Sequence, residues 1–220
     1  MKLVTLAPEP AGFHGIHPAA AEEGIHVSIG HTVADYETAS AAFAAGADHA
    51  THLYNGMPSL HHREPAVIGA AFDNKKVMPE IICDGIHVHG SVIRATFAMF
   101  GAERMILISD SLRATGMPDG EYPFGGQMIE VHGTVQRFWP SGDSGRFCDQ
   151  PYGMSSPGCE VWDPGADAVR AASYNPARSI GMEDRIGSLT EGKEATFVLL
   201  DKETLETKRI VFKGKTVGQA

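Results

Sequence analysis

Five short apolar runs, each closed by a polar residue able to do chemistry, follow one another along the first half of the chain. Lys2–Leu6 (KLVTL) leads into APEP, and Ile25–Ile29 (IHVSI) leads into GHT. Ala47–Leu53 leads into YNGM, Val77–Cys83 into DGIHVHG, and Met105–Ser109 (MILIS) into DS. Short apolar runs bounded by turn residues read as buried strands. Helix-like segments lie between or beside them, at Pro18–Glu23, the alanine-rich Asp35–Ala45 and Ser91–Phe100. This strand, loop, helix, strand order predicts an α/β chain, with a parallel sheet built from βα units in the manner of a barrel. In barrels of this kind the site sits at the carboxyl ends of the strands. Every strand end here presents a candidate: Glu9, His31, His52, His87 and Asp110. One such placement means little, whereas five in succession on one face define a site.

The end of the chain has a different period. Gly187–Val217 holds EGKEATFVLLD and TKRIVFKGKTV, alternating strands joined by charged turns. They predict a small β element beside the barrel, with residues 1–185 forming the barrel unit and 186–220 the β segment. Asp167–Ile180 (DAVRAASYNPARSI) reads as a helix broken at Asn175–Pro176. A chain of 220 residues, 43% apolar and 20% charged, has the composition of one globular unit. Its net charge of −9 argues against nucleic-acid binding and against a basic membrane contact, so an anionic substrate must meet local cations. No apolar run reaches membrane-spanning length, and the first residues lack the signal-peptide pattern. Cys83, Cys148 and Cys159 make neither a disulfide framework nor a CxxC pair, which points to the reducing cytoplasm.

Histidine is the unusual residue, with 11 in the chain. A carboxylate and two imidazoles from separate strand ends, Glu9, His31 and His52, suit a zinc-like divalent ion that keeps a position open for water. A single strand-end histidine is more often structural, and it is the joint placement of the three that favours ligation. Asp110 is then the general base that takes a proton from water and delivers it to the leaving group. His87 is placed to polarise or hold the substrate. His14, His17, His26 and His49 lack this placement and read as structural or solvated. His61 and His62 beside Arg63 suit a solvated loop and an anion clamp equally. Asp84 orders the DGIHVHG turn, and the NPAR segment sets helix packing.

A set of motifs occurs in order: VTLAPE (Val4–Glu9), GHT (Gly30–Thr32), ATHLYNGM (Ala50–Met57), HREP (His62–Pro65), DGIHVH (Asp84–His89), SDS (Ser109–Ser111) and NPAR (Asn175–Arg178). GH or NPAR alone is weak, but the ordered set resembles the N-acetylglucosamine-6-phosphate deacetylase family of the amidohydrolase superfamily. The resemblance covers Lys2 to about Gly133 and again Ala166 to Lys215. It implies a (β/α)8 TIM-type barrel with a small β-sandwich, and metal-dependent removal of acetate from N-acetylglucosamine-6-phosphate to give glucosamine-6-phosphate. Position by position, Glu9, His31 and His52 match the metal ligands, zinc foremost, and Asp110 matches the catalytic aspartate. His87 matches a substrate-contacting histidine. Asn55 and Gly56 match the turn whose backbone meets the phosphate, with alanine commoner in the family where Gly56 stands. Arg63 matches an arginine that reaches the phosphate from the partner subunit of a homodimer, a role that suits a guanidinium fork. Amidohydrolases acting on cyclic amides often carry a bridging carboxylated lysine, and no lysine stands at a strand end here.

Two departures from the family pattern carry expectations of their own. The family places its first barrel strands and half of the sandwich ahead of the VTLAPE strand. The expected chain is therefore amino-truncated, a partial barrel lacking its first strands with a remnant of the sandwich at its end. Open sheet edges then predict poor solubility or the need for a partner. The second departure is Gln136–Gly165, which holds both tryptophans and two of the cysteines and resembles neither flank. Codons for DSGRFCDQPYG (143–153) exist whose next reading frame gives TLAGSATNLME, close to a family loop, and EVWDP (160–164) re-reads as RFGIP. The expectation is a frameshift entering near Val135 and corrected near Gly165. Because that family loop lies over the substrate, an inactive member of the family is the rival outcome.

Overall fold

The apolar runs form the strands of the wall that carries the site. In a computed structural model describing residues 1–9, 19–20, 22–132, 135–139, 147–148, 166–202, 204 and 206–219, five strands pair side by side. They are β1 (Leu3–Leu6), β2 (His26–Ile29), β3 (His49–Ala50), β4 (Met78–Ile82) and β5 (Ile106–Ile108). All pairings are parallel, in the order β1-β2-β3-β4-β5, with registers such as Val4↔Val27, Ser28↔His49 and Ile81↔Leu107. Each strand lies beside its neighbour in sequence. That order builds a continuous barrel wall rather than a doubly wound sheet, whose strand order reverses at a switch point.

The third strand is shorter than its apolar run suggested. Pairing stops at Ala50, and Thr51 closes it by donating to the Ile29 carbonyl at 2.8 Å. His52 and Tyr54 then take left-handed backbone, at φ 31° and 76°, which no strand accommodates. His52 therefore sits in the turn beyond the strand.

Three helices lie between the wall strands or after them. In α1 (Tyr36–Ala45), Asp35 caps the first turn by accepting from the Thr38 amide at 2.8 Å, and Gly46 ends the helix at φ 115°. The second helix, α2 (Ala66–Asp73), is apolar on nearly every side, so its run shows no 3.6-residue period to reveal it as a helix. Gly69 lets its first turn close, because a Cβ there would stand 2.4 Å from Pro65 Cβ. The third, α3 (Gly90–Phe100), follows His89, whose ring accepts from the Ser91 amide. Ala39, Ala42, Phe43, Val67, Ile68 and Phe97 pack with Val27, Ile29, Ile81 and Leu107 into one core. Arg104 ties α2 to the strands by donating to the carbonyls of Ala71, Asn74 and Val77.

Beyond β5 the chain makes an antiparallel sheet that the sequence reading did not anticipate. It consists of β6 (Gly120–Phe124), β7 (Gln127–His132), β8 (Val135–Trp139) and β9 (Phe147–Cys148). Gly125 and Gly126, at φ 58° and 82°, form a two-residue turn closed by the Phe124↔Gln127 pair. Two successive positive φ values are what a type I′ hairpin requires. Ile129 and Val131 from β7 pack with Ala114 into a second, smaller core. The stretch Gln136–Gly165 lies outside the described residues apart from strand residues 136–139 and 147–148, and so does the expected frame change. His14, His17, Pro18 and Ala21 also lie outside them.

Two further helices, α4 (Ala166–Ala172) and α5 (Tyr174–Ser179), occupy the segment expected to form a helix broken at Asn175–Pro176. The break falls at Ser173, ahead of Asn175–Pro176, because a proline ring clashes with the carbonyl four residues earlier, here that of Ala172. Asn175, fully buried, donates to the carbonyls of Ala102 and Met105, and Arg178 donates to that of Glu103. The NPAR segment thus anchors α5 to the loop before β5. The chain closes with a three-stranded antiparallel sheet of β10 (Phe197–Leu200), β11 (Thr207–Phe212) and β12 (Lys215–Gln219), the β element expected from its alternation. Among the described residues, no helix is long and apolar enough to cross a membrane.

Candidate active site at the carboxyl ends of the strands

Just beyond β2 and β3 the chain places two imidazoles edge to face. The Nε2 atoms of His31 and His52 stand 2.9 Å apart, with ring centroids 4.6 Å apart at 83°. His52 is buried, and its Nδ1 has no hydrogen-bond partner among the described residues. Burial, and next the neighbouring His31 ring, push its pKa below the usual imidazole value, against an opposing pull from Asp110. A ring held neutral in this way presents a lone pair, the form a metal ion takes. Two facing Nε2 atoms can share only one proton. The donor set therefore fits a divalent cation that would accept both lone pairs.

The backbone is strained at the same points. His31, His52 and Asp110 all adopt left-handed backbone, at φ 50°, 31° and 52°. Non-glycine residues in that region are uncommon, cost energy, and cluster where surrounding structure holds a side chain for a purpose. Here they follow β2, β3 and β5 directly. Asp110 is half-buried, and its charge reaches both His52 and Glu80.

Glu9 takes a different position from the two histidines. Its Oε1 accepts from the Thr32 hydroxyl and the Val33 amide, both at 2.5 Å. Among the described residues, Glu9, His31 and His52 do not form a compact three-ligand cluster. Burial is the largest single influence on the Glu9 carboxyl and pushes its pKa up, but hydrogen bonds from Thr32 and the local backbone together outweigh it and hold the carboxyl below its usual range. Thr32 is the hub of this corner. It is buried, its amide donates to the Gly56 carbonyl at 2.9 Å, and its hydroxyl accepts from the Ala34 amide. Gly56, at φ 55°, packs so close that a Cβ would meet His31 Nδ1 at 3.3 Å. Asn55 donates to the carbonyls of His52 and Leu53 and so braces the same turn.

Beyond β4, Asp84 does what its turn position suggested and more. Its Oδ1 accepts from the amides of Ile86 and His87 at 2.8 Å, while Oδ2 meets His87 Nδ1 at 2.5 Å. The His87 ring is thereby fixed in orientation. Arg63 lies apart, exposed on a loop where its Nη1 meets His62 Nε2 at 2.7 Å. The fold thus gathers His31, His52, Gly56 and Asn55 into one corner, with Asp110 within electrostatic reach, and leaves Arg63 outside it.

Sequence reasoning missed two residues here. Thr32 is one residue of the GHT motif, and nothing in one sequence separates a bridging threonine from a spacer. Glu80 had a signal, a lone carboxylate inside the apolar run MPEIIC. It is 8% exposed on β4, and burial, followed by repulsion from Asp110, raises its pKa to about 7.

Comparison with known proteins identifies the family. A profile described as the Amidohydrolase family matches residues 162–217. The chain is 39% identical over 217 residues to N-acetylglucosamine-6-phosphate deacetylase of Vibrio furnissii, covering 99% of this chain and 54% of that protein. It is 38% identical over 150 residues to a putative N-acetylgalactosamine-6-phosphate deacetylase of Escherichia coli K12, covering 68% of this chain and 89% of that protein. Among solved structures, an aspartate-to-alanine mutant of the Mycobacterium smegmatis N-acetylglucosamine-6-phosphate deacetylase, in complex with N-acetylglucosamine-6-phosphate, superposes with a TM-score of 0.89. That match has 33% identity and covers 99% of this chain and 57% of the other. The chain belongs to the N-acetylglucosamine-6-phosphate deacetylase family of amidohydrolases. It spans about half the length of most of the curated relatives it matches, 51–54% for three of them.

Proposed function

We propose that the chain removes acetate from the acetamido group of N-acetylglucosamine-6-phosphate, releasing glucosamine-6-phosphate. One observation carries the reading: two imidazole Nε2 atoms, 2.9 Å apart at the carboxyl ends of β2 and β3, within the field of an aspartate beyond β5. The substrate class is supported by what the relatives act on. His31 and His52, with Glu9 as third ligand, hold a divalent ion, zinc in our reading. When bound, that ion activates water and polarises the amide carbonyl. Asp110 takes the water's proton and passes it to the departing amine nitrogen, which leaves as a neutral group. His87, its ring fixed by Asp84, holds the acetamide oxygen side of the substrate. Asn55 and Gly56 shape the turn that meets the 6-phosphate.

In our reading the working form is a cytoplasmic homodimer, and Arg63 supplies its guanidinium to the phosphate in the partner's site. Its exposure on a loop away from its own strand ends supports that role. Residues 1–185 form the catalytic unit and 186–220 the accessory β unit. The direct test is acetate release by the purified, zinc-loaded chain, offered N-acetylglucosamine-6-phosphate and its galactosamine counterpart in separate assays. Turnover is expected, falling on the order of 100-fold or more with Asp110→Asn. A folded, zinc-loaded protein that releases no acetate from either sugar makes the chain an inactive member of the family.

A further inference from the structure

At the opposite ends of the same two strands lies a second group of metal-type donors. His26 opens β2, Asp48 precedes β3, and His49 opens it. The Asp48 carboxylate stands between the rings, Oδ2 meeting His26 Nδ1 at 2.6 Å and Oδ1 meeting His49 Nδ1 at 2.7 Å. One ligand atom from each residue lies within 4.8 Å of the others, the only such group among the described residues. The sheet fixes the backbone of all three. His26 donates to Lys2, Asp48 donates to Val27, and the Asp48 carbonyl accepts from Met78. His49 is 2% exposed in its side chain, whereas His26 at 30% and Asp48 at 35% leave one side open to water.

We propose that His26, Asp48 and His49 form a structural binding site for a divalent transition-metal ion, zinc by its donor set. Two imidazole nitrogens and one carboxylate oxygen, with a water completing the tetrahedron, form a common zinc coordination set. Donors around a tetrahedral zinc stand about 3.3 Å apart, given metal–ligand distances of about 2.0–2.1 Å. The two ring–carboxylate contacts, 2.6 and 2.7 Å, would open by about 0.6–0.7 Å to reach that separation, and one ligand atom from each of the three residues already lies within 4.8 Å of the others. Both imidazoles already turn Nδ1 towards the carboxylate, which carries the negative charge a dication needs. Burial, the largest single influence, pushes that carboxyl up, but the hydrogen bonds and charges of His49 and His26 together keep it below its usual range.

The site cannot share its ion with the catalytic end. Four residues of strand and turn lie between His26 and His31, about 15 Å of chain at strand rise. The lower ion would join the feet of β2 and β3, the strands whose upper ends carry His31 and His52. It would lock their relative register and hold that pair in place.

The test is metal stoichiometry on the full chain, stripped with chelator and titrated with Co²⁺, followed by visible absorption and equilibrium dialysis. Wild type is expected to bind two equivalents. His26→Gln is expected to lose one and to keep the one that His52→Ala removes. Thermal unfolding with and without Co²⁺ adds a second readout, with part of the metal-induced stabilisation lost in His26→Gln. Circular dichroism in chelator checks that each variant folds, and the isosteric Asp48→Asn repeats the measurement where His26→Gln does not. The proposal is overturned by a single wild-type equivalent that His52→Ala abolishes, or by two equivalents untouched in His26→Gln and Asp48→Asn. The three side chains are then an ion-pair clasp and nothing more. Failure of the upper site alone has a different signature: one equivalent that survives His52→Ala and is lost in His26→Gln.

Discussion

Thr32 and Glu80 show how single side chains set the chemistry of their neighbours. The Thr32 hydroxyl holds one oxygen of Glu9, the proposed third ligand, while its amide ties the same corner to Gly56. Groups that orient a metal ligand are commonly worth 10–100-fold in affinity. Thr32→Val, which keeps the shape and loses the hydroxyl, is expected to weaken zinc binding at the upper site by roughly 10-fold or more, whereas Thr32→Ser retains it. Competition with a chromogenic chelator measures this. Unchanged affinity in Thr32→Val and in Glu9→Gln alike removes Glu9 from the ligand set. Glu80 makes a prediction about pH. Its folded pKa, about 7, lies above the 4.5 of an ordinary glutamate, so the folded state binds the proton more tightly than the unfolded one. Its contribution to stability is full below pH 4.5 and is lost as pH rises through 7, about 3 kcal/mol in all. Urea unfolding in chelator at pH 5 and pH 8 is expected to show wild type losing stability relative to Glu80→Gln across that interval. Parallel behaviour of the two proteins rules out a buried, protonated Glu80.

At the scale of elements, α5 is held by polar contacts more than by apolar burial. Asn175 satisfies two main-chain carbonyls of the loop that launches β5, the strand that ends at Asp110. Asn175→Ala leaves both without their donor in a buried setting, a loss of about 2–3 kcal/mol by the usual cost of such groups. Denaturant unfolding measures it, and a loss below about 0.5 kcal/mol shows that the loop finds other donors. Which elements the sequence revealed follows from how each is stabilised. β1, β2, β4 and β5 were legible because burial writes an apolar run, and α1 because Asp35 and Gly46 mark its ends. Strand β3 ended early because the left-handed backbone at His52 is a tertiary property that composition does not encode. Helix α2 was hidden by having no polar face. The β6–β7 hairpin carries a turn signal in its GlyGly pair flanked by alternating residues, but its strands have none of the strand-end chemistry that marks the barrel strands. Of the candidate site, Glu9, His31, His52, His87 and Asp110 follow from strand-end placement and Arg63 from its place beside His61 and His62, whereas Asn55 and Gly56 come only through family likeness.

For the whole molecule, the proposed activity requires an acidic chain to bind a phosphorylated sugar. The chain carries a net charge of −9, and Glu9, Asp84 and Asp110 follow the carboxyl ends of β1, β4 and β5. A divalent ion offsets part of that charge at the reacting amide and does nothing for the phosphate at the far end of the sugar. Arg63 is the cation assigned to the phosphate, yet it stands exposed on a loop, in contact with His62 rather than with Asn55 or Gly56. In the proposed dimer, a guanidinium in that position would serve the phosphate bound by another copy. A two-fold dimer in which each Arg63 enters the partner's site satisfies this, because the exchange is symmetric and completes both sites. Such an arrangement has a consequence that no single-chain site shares. Asp110→Asn and Arg63→Ala should each be nearly inactive alone, whereas the two co-expressed should recover activity. Random pairing puts half of the dimers in the mixed form. Each mixed dimer contains one site with both defects and one with neither, so roughly a quarter of wild-type activity returns. Steady-state acetate release from the co-expressed pair, set against each variant alone, reads this directly. Recovery near that level places Arg63 in the partner's site, and activity no higher than the sum of the two variants returns Arg63 to its own subunit or to the solvent.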